Sequence, residues 1–560
     1  MSMNRFETNM YYVQKGFPEL YDRLVIYKNN QQSLKDKKIQ FNVTNSAPSL
    51  SIIDLVQKKE VRMNSLYDSD NAAYVWSQGL NENEIKCRNL FFAGLGNGSY
   101  ARCIVKMMLP ISKLFIYEPS ADVFMKAMQV CDFSLFFSTP GVRVIIKGIN
   151  EDMSSGVLEE MLTVHNYEDT AFFVAPNYGR VFPDAAKEIA RIYRNGVGVI
   201  MSNRNTIRRF IEYSPFNQLY NIRYLSDNTV VPYLAENWEK EVPVLLVGAG
   251  PSLKEDIDII KKMQEFVYIF AVDSALNFLL DHDVIPDMFI SIEPKRDWSY
   301  FENSKVKKIP MFGKLATNYK LLKEHKAPIV FGYEEELAER IYDKYDVPKS
   351  SYRFGGNGAT SLFAICKELG VEVVMLVGQD MAYGKNHQSH IHEQSEAYVE
   401  EECFVVEGNN GNKVQSRQDW YRFAKWYENA IPVCKFHHVI NTAKDGVKIR
   451  GAEYMPLKEA IEKWGKKHGD VMTALHKTKC SFGEKKVDVM EIYGILQEEL
   501  YDIIHHKSTC DELKSKLIYG ILQLYEIANA ESEKNNFTLS GQKVLKYLEE
   551  CKKDYKKRET

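Results

Sequence analysis

The stretch VPVLLVGAGPSLKEDI (residues 242–257) decides how the rest of the chain is read. Val244-Leu245-Leu246-Val247 is short, apolar and rich in β-branched residues, which predicts a buried strand. Gly248 and Gly250 permit a tight exit from it. Pro251 then suits the first turn of a helix, where its missing N–H is not needed and its fixed φ is already helical. A strand, a glycine bend and a helix start aim backbone amides and a positive helix end at an anion. The bend is therefore a candidate nucleotide grip, with the Ser252 hydroxyl beside it.

Outward from this bend, further strand-like runs alternate with helical patterns: VYIFAVD (267–273), MFISIEP (288–294), PIVFGY (328–333) and VEVVMLVGQD (371–380). Alternation of this kind is the signature of an α/β domain built on a parallel sheet. Most of the runs end in glycine or an acidic residue, and open parallel sheets hold ligands at the carboxyl ends of their strands. That edge would collect Gly248, Gly250, Pro251, Ser252, Asp273, Ser274, Glu293, Gly378 and Asp380. A second glycine bend, in FGGNGATSLFAICKELG (354–370), offers Gly356, Asn357, Thr360 and Ser361. These could cap the next helix, hold a ribose or phosphate, or do both. Asp273 and Asp380 could likewise be simple helix caps.

The loop GQDMAYGKNHQSHIH (378–392) brings Tyr383, His387, His390 and His392. Three histidines so close together could bind a metal, but no matching cysteine or third-ligand pattern accompanies them. A histidine near a nucleotide is better suited as a general base, since its ordinary pKa near 6.5 lets it take a hydroxyl proton at neutral pH. One or two of the three could be plain surface residues. The Asp-x-Asp strings at 68–70, 256–258 and 281–283 read as surface charge.

Toward the N-terminus, NLFFAGLGNGSYARCIV (89–105) repeats the strand, glycine bend and helix pattern with Gly94, Gly96 and Gly98. The following strand ends in Glu118, where a Rossmann-like fold holds a ribose hydroxyl. The same residues would also suit a scaffold that keeps the bend and binds nothing. Residues 202–240 lack a clear period and read as helical connectors. From about residue 455 the pattern turns helical, with Val489, Ile492, Leu496 and Leu500 on one stripe. The expected architecture is α/β, with a Rossmann-like domain at 1–235, a central α/β domain at 236–454 and a C-terminal helical bundle at 455–560.

With 72 Lys+Arg against 75 Asp+Glu, the net charge of -3 supplies no global field for nucleic acid or anionic membrane. The start, MSMNRFETNM, lacks a secretory pattern, no apolar run is long enough to span a membrane, and nine scattered cysteines form no Cys-x-x-Cys pair. A cytoplasmic protein with reduced thiols is the expectation.

The series LLVGAGPSL, AVDSAL, PDMFISIEP, GGNGATSLFAICKELG and GQDMAYGKNHQSH, together with NTAKDGVKIRG (441–451), resembles the motility accessory factor (Maf) glycosyltransferases of flagellated bacteria. Their central domain is related to a 6-hydroxymethylpterin diphosphokinase-like family. The likeness covers residues 240–450, is looser toward the N-terminus and weakest in the helical C-terminus. The Gly-x-Gly-Pro-Ser bend and the late Gly-x-Asp strand end also resemble bacterial sialyltransferases. The resemblance implies a GT-A-like or sialyltransferase-like central domain. It further implies transfer of a nonulosonic acid, such as pseudaminic or legionaminic acid, from its CMP-activated form to serine or threonine of flagellin. In that setting His390 would be the base, with His387 and His392 in reserve, and Tyr383 would donate to the departing phosphate. A CMP-sugar leaves as a monophosphate, so no cofactor is required; whether a divalent ion takes part is left open. A Mg²⁺-dependent pterin diphosphokinase and a non-catalytic flagellin escort are the competing expectations.

Overall fold

The computed structural model describes residues 3–29, 37–56, 58–332, 335–349, 356–384, 387–391, 403–483, 487–505, 510–529 and 537–559. They form two compact units, Met1–Thr206 and Ile207–Thr560. Both are α/β with parallel sheets, as the alternating sequence pattern predicts.

In the first unit, β1 (Lys37–Asn42), β2 (Ser49–Asp54) and β3 (Lys59–Arg62) make a small antiparallel sheet. The main sheet holds β4 (Asn89–Ala93), β5 (Lys113–Glu118), β6 (Val142–Ile146) and β7 (Thr170–Val174), all parallel, in the order β6-β5-β4-β7. Leu90 and Phe92 of β4 enter one apolar cluster, whereas Phe91 and Ala93 enter another. Strand side chains alternate between faces, and here both faces are covered, so β4 is apolar at consecutive positions rather than every second one.

The second unit is organised by nine parallel strands: β8 (Thr229–Val230), β9 (Val244–Val247), β10 (Tyr268–Val272), β11 (Met288–Ile290), β12 (Met311–Gly313), β13 (Ile329–Phe331), β14 (Val373–Val377), β17 (His438–Asn441) and β18 (Glu453–Tyr454). An antiparallel hairpin, β15 (Cys403–Glu407) with β16 (Lys413–Arg417), is inserted between β14 and β17. The sheet order is β18-β17-β14-β9-β10-β11-β12-β13-β8. From β9 the chain builds outward through β13, and from β14 it builds the other way. The reversal point thus lies between β9 and β14, where open α/β sheets form a crevice.

Residues 202–240 are largely helical, as expected, but Thr229–Val230 also pairs with β13 and closes the far edge of the sheet. A strand this short leaves no periodic signal. The helical stripe is present in the helix Val489–His505, whose Ile492, Leu496 and Leu500 are fully buried in the same apolar cluster as the nine-stranded sheet. Arg223 and Asp554, 2.7 Å apart, and the Tyr493 hydroxyl, which donates to Leu219 O at 2.9 Å, tie the last helices to that core. No helix among the described residues is long and apolar enough to cross a membrane, and the described cysteines are free thiols.

Candidate functional site

Because all nine strands run the same way, the exits of β14, β9, β10 and β11 lie side by side on one edge. Gly248 N–H donates to Val377 O (2.8 Å) and Gly250 N–H to Gly378 O (2.7 Å). Ser252 turns both its N–H (3.3 Å) and its hydroxyl (3.0 Å) onto Asp380 Oδ2. The bend after β9 therefore directs these donors to the exit of β14, not to an open anion cradle. A Cβ on Gly250 would collide with Asp380 and lie 2.6 Å from Gly378 O; one on Gly248 would also lie 2.6 Å from Gly378 O. The glycines are required by close approach to the neighbouring strand exit.

Burial pushes the Asp380 carboxyl up to about 6. One turn into the helix Leu253–Met263, Asp256 accepts from the Thr442 hydroxyl at 3.2 Å, and burial lifts it to about 7, with Glu255 and Asp380 adding repulsion. Asp256 is thus half-buried at the β9–β14 crevice and is not the surface charge expected of the 256–258 string. Its i, i+4 relation to Ser252 could have placed both on one helix face.

The histidine-bearing loop after β14 folds back onto this bend. Ile391 N–H donates to Ala249 O at 2.9 Å, and a Cβ on Gly384 would lie 2.9 Å from that of Pro251. His390 contacts the Ser389 hydroxyl through Nδ1 (3.2 Å) and presents its ring edgewise to Trp420, with centroids 6.3 Å apart. Tyr383 packs on the same indole at 4.7 Å. Burial holds its phenol above the usual range, opposed by a hydrogen bond from Arg417. His387 lies in the same loop with a left-handed backbone (φ 59°), and His392 lies outside the described residues.

At the exits of β10 and β11, Arg296 bridges Asp273 and Glu293, the latter at 3.1 Å, and lies 4.1 Å from the Tyr300 ring centroid. Ser291 donates to Asp273 at 3.1 Å. Burial raises the Asp273 carboxyl while Arg296 pulls it back down. Ser274 follows in a short 3-10 turn, Asp273–Ala275. Arg296 was missed in the sequence, although its i+3 spacing from Glu293 could have suggested the pair.

The second glycine bend sits above these strand ends. A Cβ on Gly358 would meet Ile290 and Val272, each at 3.3 Å, whereas one on Gly356 would meet nothing within 4 Å. Asn357 caps the helix Gly358–Glu368 by accepting from Thr360 N–H at 2.8 Å, and Thr360 returns a bond to the cap. The capping alternative is therefore realised for both residues. Ser361 is buried, and its hydroxyl has no hydrogen-bond partner among the described residues.

The glycine bend of the first unit is filled from within. Gly94, Gly96 and Gly98 all have positive φ, and a Cβ on Gly94 would lie 2.5 Å from the Tyr178 ring. The Tyr178 hydroxyl donates to Glu118 Oε2 at 2.8 Å, in the role that a ribose hydroxyl would take, and Gly96 N–H donates to the same oxygen at 3.0 Å. Burial raises Glu118 to about 7. Among the described residues no group of three or more His, Cys, Asp or Glu is arranged to hold a metal ion.

Residues 216–386 match the family described as 6-hydroxymethylpterin diphosphokinase MptE-like. The matched stretch overlaps the part of the chain for which the Maf resemblance implies that relationship. A curated relative from Treponema pallidum (strain Nichols), described as an uncharacterized protein, is 31% identical over 114 residues. That match covers 20% of this chain and 53% of the relative, so the chain spans about half of that relative's length. A solved structure, that of a Maf glycosyltransferase from Magnetospirillum magneticum AMB-1, aligns over 98% of this chain and 90% of its own at 13% identity, with a TM-score of 0.48.

Proposed function

We propose that the chain is a glycosyltransferase that moves a nonulosonic acid from its CMP-activated form to serine or threonine of flagellin in the cytoplasm. The observation that carries the reading is the Ile391–Ala249 backbone bond, which holds the His390 segment against the bend at the sheet's reversal point. The motif series at 240–450 supplies the substrate class through its resemblance.

In this reading the acceptor oxygen attacks the anomeric carbon while His390 takes its proton. The bond from that carbon to the phosphate oxygen breaks with inversion, and CMP departs, receiving a hydrogen bond from Tyr383. Asp273 and Glu293 are held by Arg296, so the nucleotide would meet a salt-bridged cluster and the Asn357 cap rather than two bare carboxylates.

The description of the matched family favours one second reading, a pterin diphosphokinase. Such chemistry needs Mg²⁺ held by convergent carboxylates. Asp273 and Glu293 would have to leave Arg296, and Asp380 to leave Ser252, to supply them. Mass spectrometry of flagellin co-expressed with this protein and a CMP-nonulosonate pathway separates the readings. A sugar-sized increment supports transfer, bound but unmodified flagellin supports an escort, and ATP consumption with a pterin supports the kinase.

A further inference from the structure

We propose that Asp256 stands in the β9–β14 crevice as a neutral carboxylic acid, a positioning residue whose proton lets the crevice hold an anionic nucleotide, and that loss of this one proton weakens the site. The inference rests on the transferase reading, in which the crevice receives CMP, and adds to it a control by pH.

Two carboxyls share the crevice, and their partners are unequal. Asp380 receives the Ser252 N–H at 3.3 Å, the Ser252 hydroxyl at 3.0 Å and its own backbone N–H. Asp256 has the Thr442 hydroxyl alone, at 3.2 Å, and no cation pairs with it among the described residues. Negative charge is best placed where hydrogen-bond donors converge on it. Asp380 therefore takes the charge and Asp256 keeps the proton, two acids set to different tasks by their surroundings.

Thr442 is arranged to use that proton. Its hydroxyl carries one hydrogen and has a second acceptor in reach, Leu376 O of β14 at 3.1 Å. A neutral Asp256 gives its hydrogen to the Thr442 oxygen, and the threonine passes its own to Leu376. This chain ties the helix Leu253–Met263 to the exits of β14 and β17. An ionised Asp256 takes the threonine hydrogen instead and breaks the link to Leu376 O. Every ionisable group that faces it opposes that charge: Glu255 on its own helix, Asp380 beyond β14 and the Tyr454 phenol of β18, itself beside Asp445 and Glu459. Burial contributes most, and it lifts Asp256 to about 7, above the value of about 6 for Asp380. A phosphate brought to the bend thus meets one carboxylate charge fewer while Asp256 is protonated.

CMP binding to the full chain is measured by calorimetry from pH 6 to 8.5 for the wild-type protein and for Asp256→Asn, whose amide keeps a donor toward Thr442 and never ionises. Other titrating groups, the CMP phosphate and His390 included, are common to both proteins and cancel in the ratio of affinities. The two should bind equally at pH 6, and the variant should bind about tenfold to thirtyfold more tightly at pH 8.5. A ratio that stays flat across this range overturns the proposal, as does a variant that binds more weakly than wild type at pH 8.5. The proton itself is read separately, from the infrared difference between wild type and Asp256→Asn at pH 6 on protein with isotopically labelled aspartate carboxyls. A carbonyl band of a neutral carboxylic acid is expected, and its absence overturns the proposal whether or not CMP binds. That band together with no CMP binding at any pH removes the transferase reading, and the nucleotide control with it.

Discussion

The chain uses the same sequence device twice, a strand followed by a glycine bend and a helix, and closes it in two different ways. After β4 the bend is stopped by a side chain: Tyr178 lies over Gly94 and gives its hydroxyl to Glu118. After β9 it is stopped by backbone: Gly248 and Gly250 press against the exit of β14, and Asp380 gathers Ser252. In both places the glycines answer to the protein's own atoms. What separates them is the surroundings, since of these two bends the central one has a histidine loop bonded to it and shares its sheet edge with the carboxylates at the exits of β14, β10 and β11. A glycine bend reports a close approach, and its neighbours report whether a ligand is intended.

The comparison breaks first on activity. His390→Ala should slow sugar transfer about 10²–10⁴-fold, the usual contribution of a general base. Tyr178→Phe, at the closed bend, should leave transfer unchanged. Equal losses from both, measured as initial rates on flagellin, would mean that the two bends do not differ in function.

On stability the larger effect belongs to the first bend. Tyr178→Ala empties a fully packed aromatic site and should cost about 3–5 kcal/mol, read from the urea midpoint of the first unit's transition.

The pH dependence follows from Glu118. Its carboxyl is raised from 4.5 to about 7 on folding. Below pH 4.5 both states are protonated and the group has no effect. Between 4.5 and 7 the folded state keeps a proton that the unfolded state has released, so stability falls as pH rises. Above about 7 the loss is constant, on the order of 3 kcal/mol. Glu118→Gln should flatten this slope in unfolding curves taken from pH 4 to 8.

The smallest effects sharpen the comparison most. Gly94→Ala and Gly250→Ala should each cost about 1–3 kcal/mol through overpacking. In a Tyr178→Ala background the first should shrink to the ~1 kcal/mol penalty of a left-handed alanine, because its obstacle is a side chain. Gly250→Ala should keep its cost when Asp380 is shortened to alanine, because Gly378 O remains 2.6 Å away. A double-mutant cycle on thermal unfolding checks both.

The strands that bear the site were legible because their apolar runs are continuous and end in glycine or acid, and the parallel sheet followed from their alternation with helices. The reversal point between β9 and β14 was not, since strand order is set by long-range pairing that leaves no local pattern. Asn357 and Thr360 were readable as caps because capping is a local, three-residue interaction. Tyr178, Arg417 and Trp420 were invisible for the opposite reason. Tyr178 lies 60 positions from Glu118, and Arg417 and Trp420 sit on a hairpin and helix that only tertiary folding brings to Tyr383 and His390.

The most direct test of the account is the intact mass of purified flagellin incubated with this protein and a CMP-nonulosonate. The account predicts an added mass of one nonulosonic acid residue per modified site, appearing at least a hundredfold more slowly with His390→Ala. Flagellin that stays unmodified with the wild-type chain, or is modified as fast by the alanine variant, would contradict it.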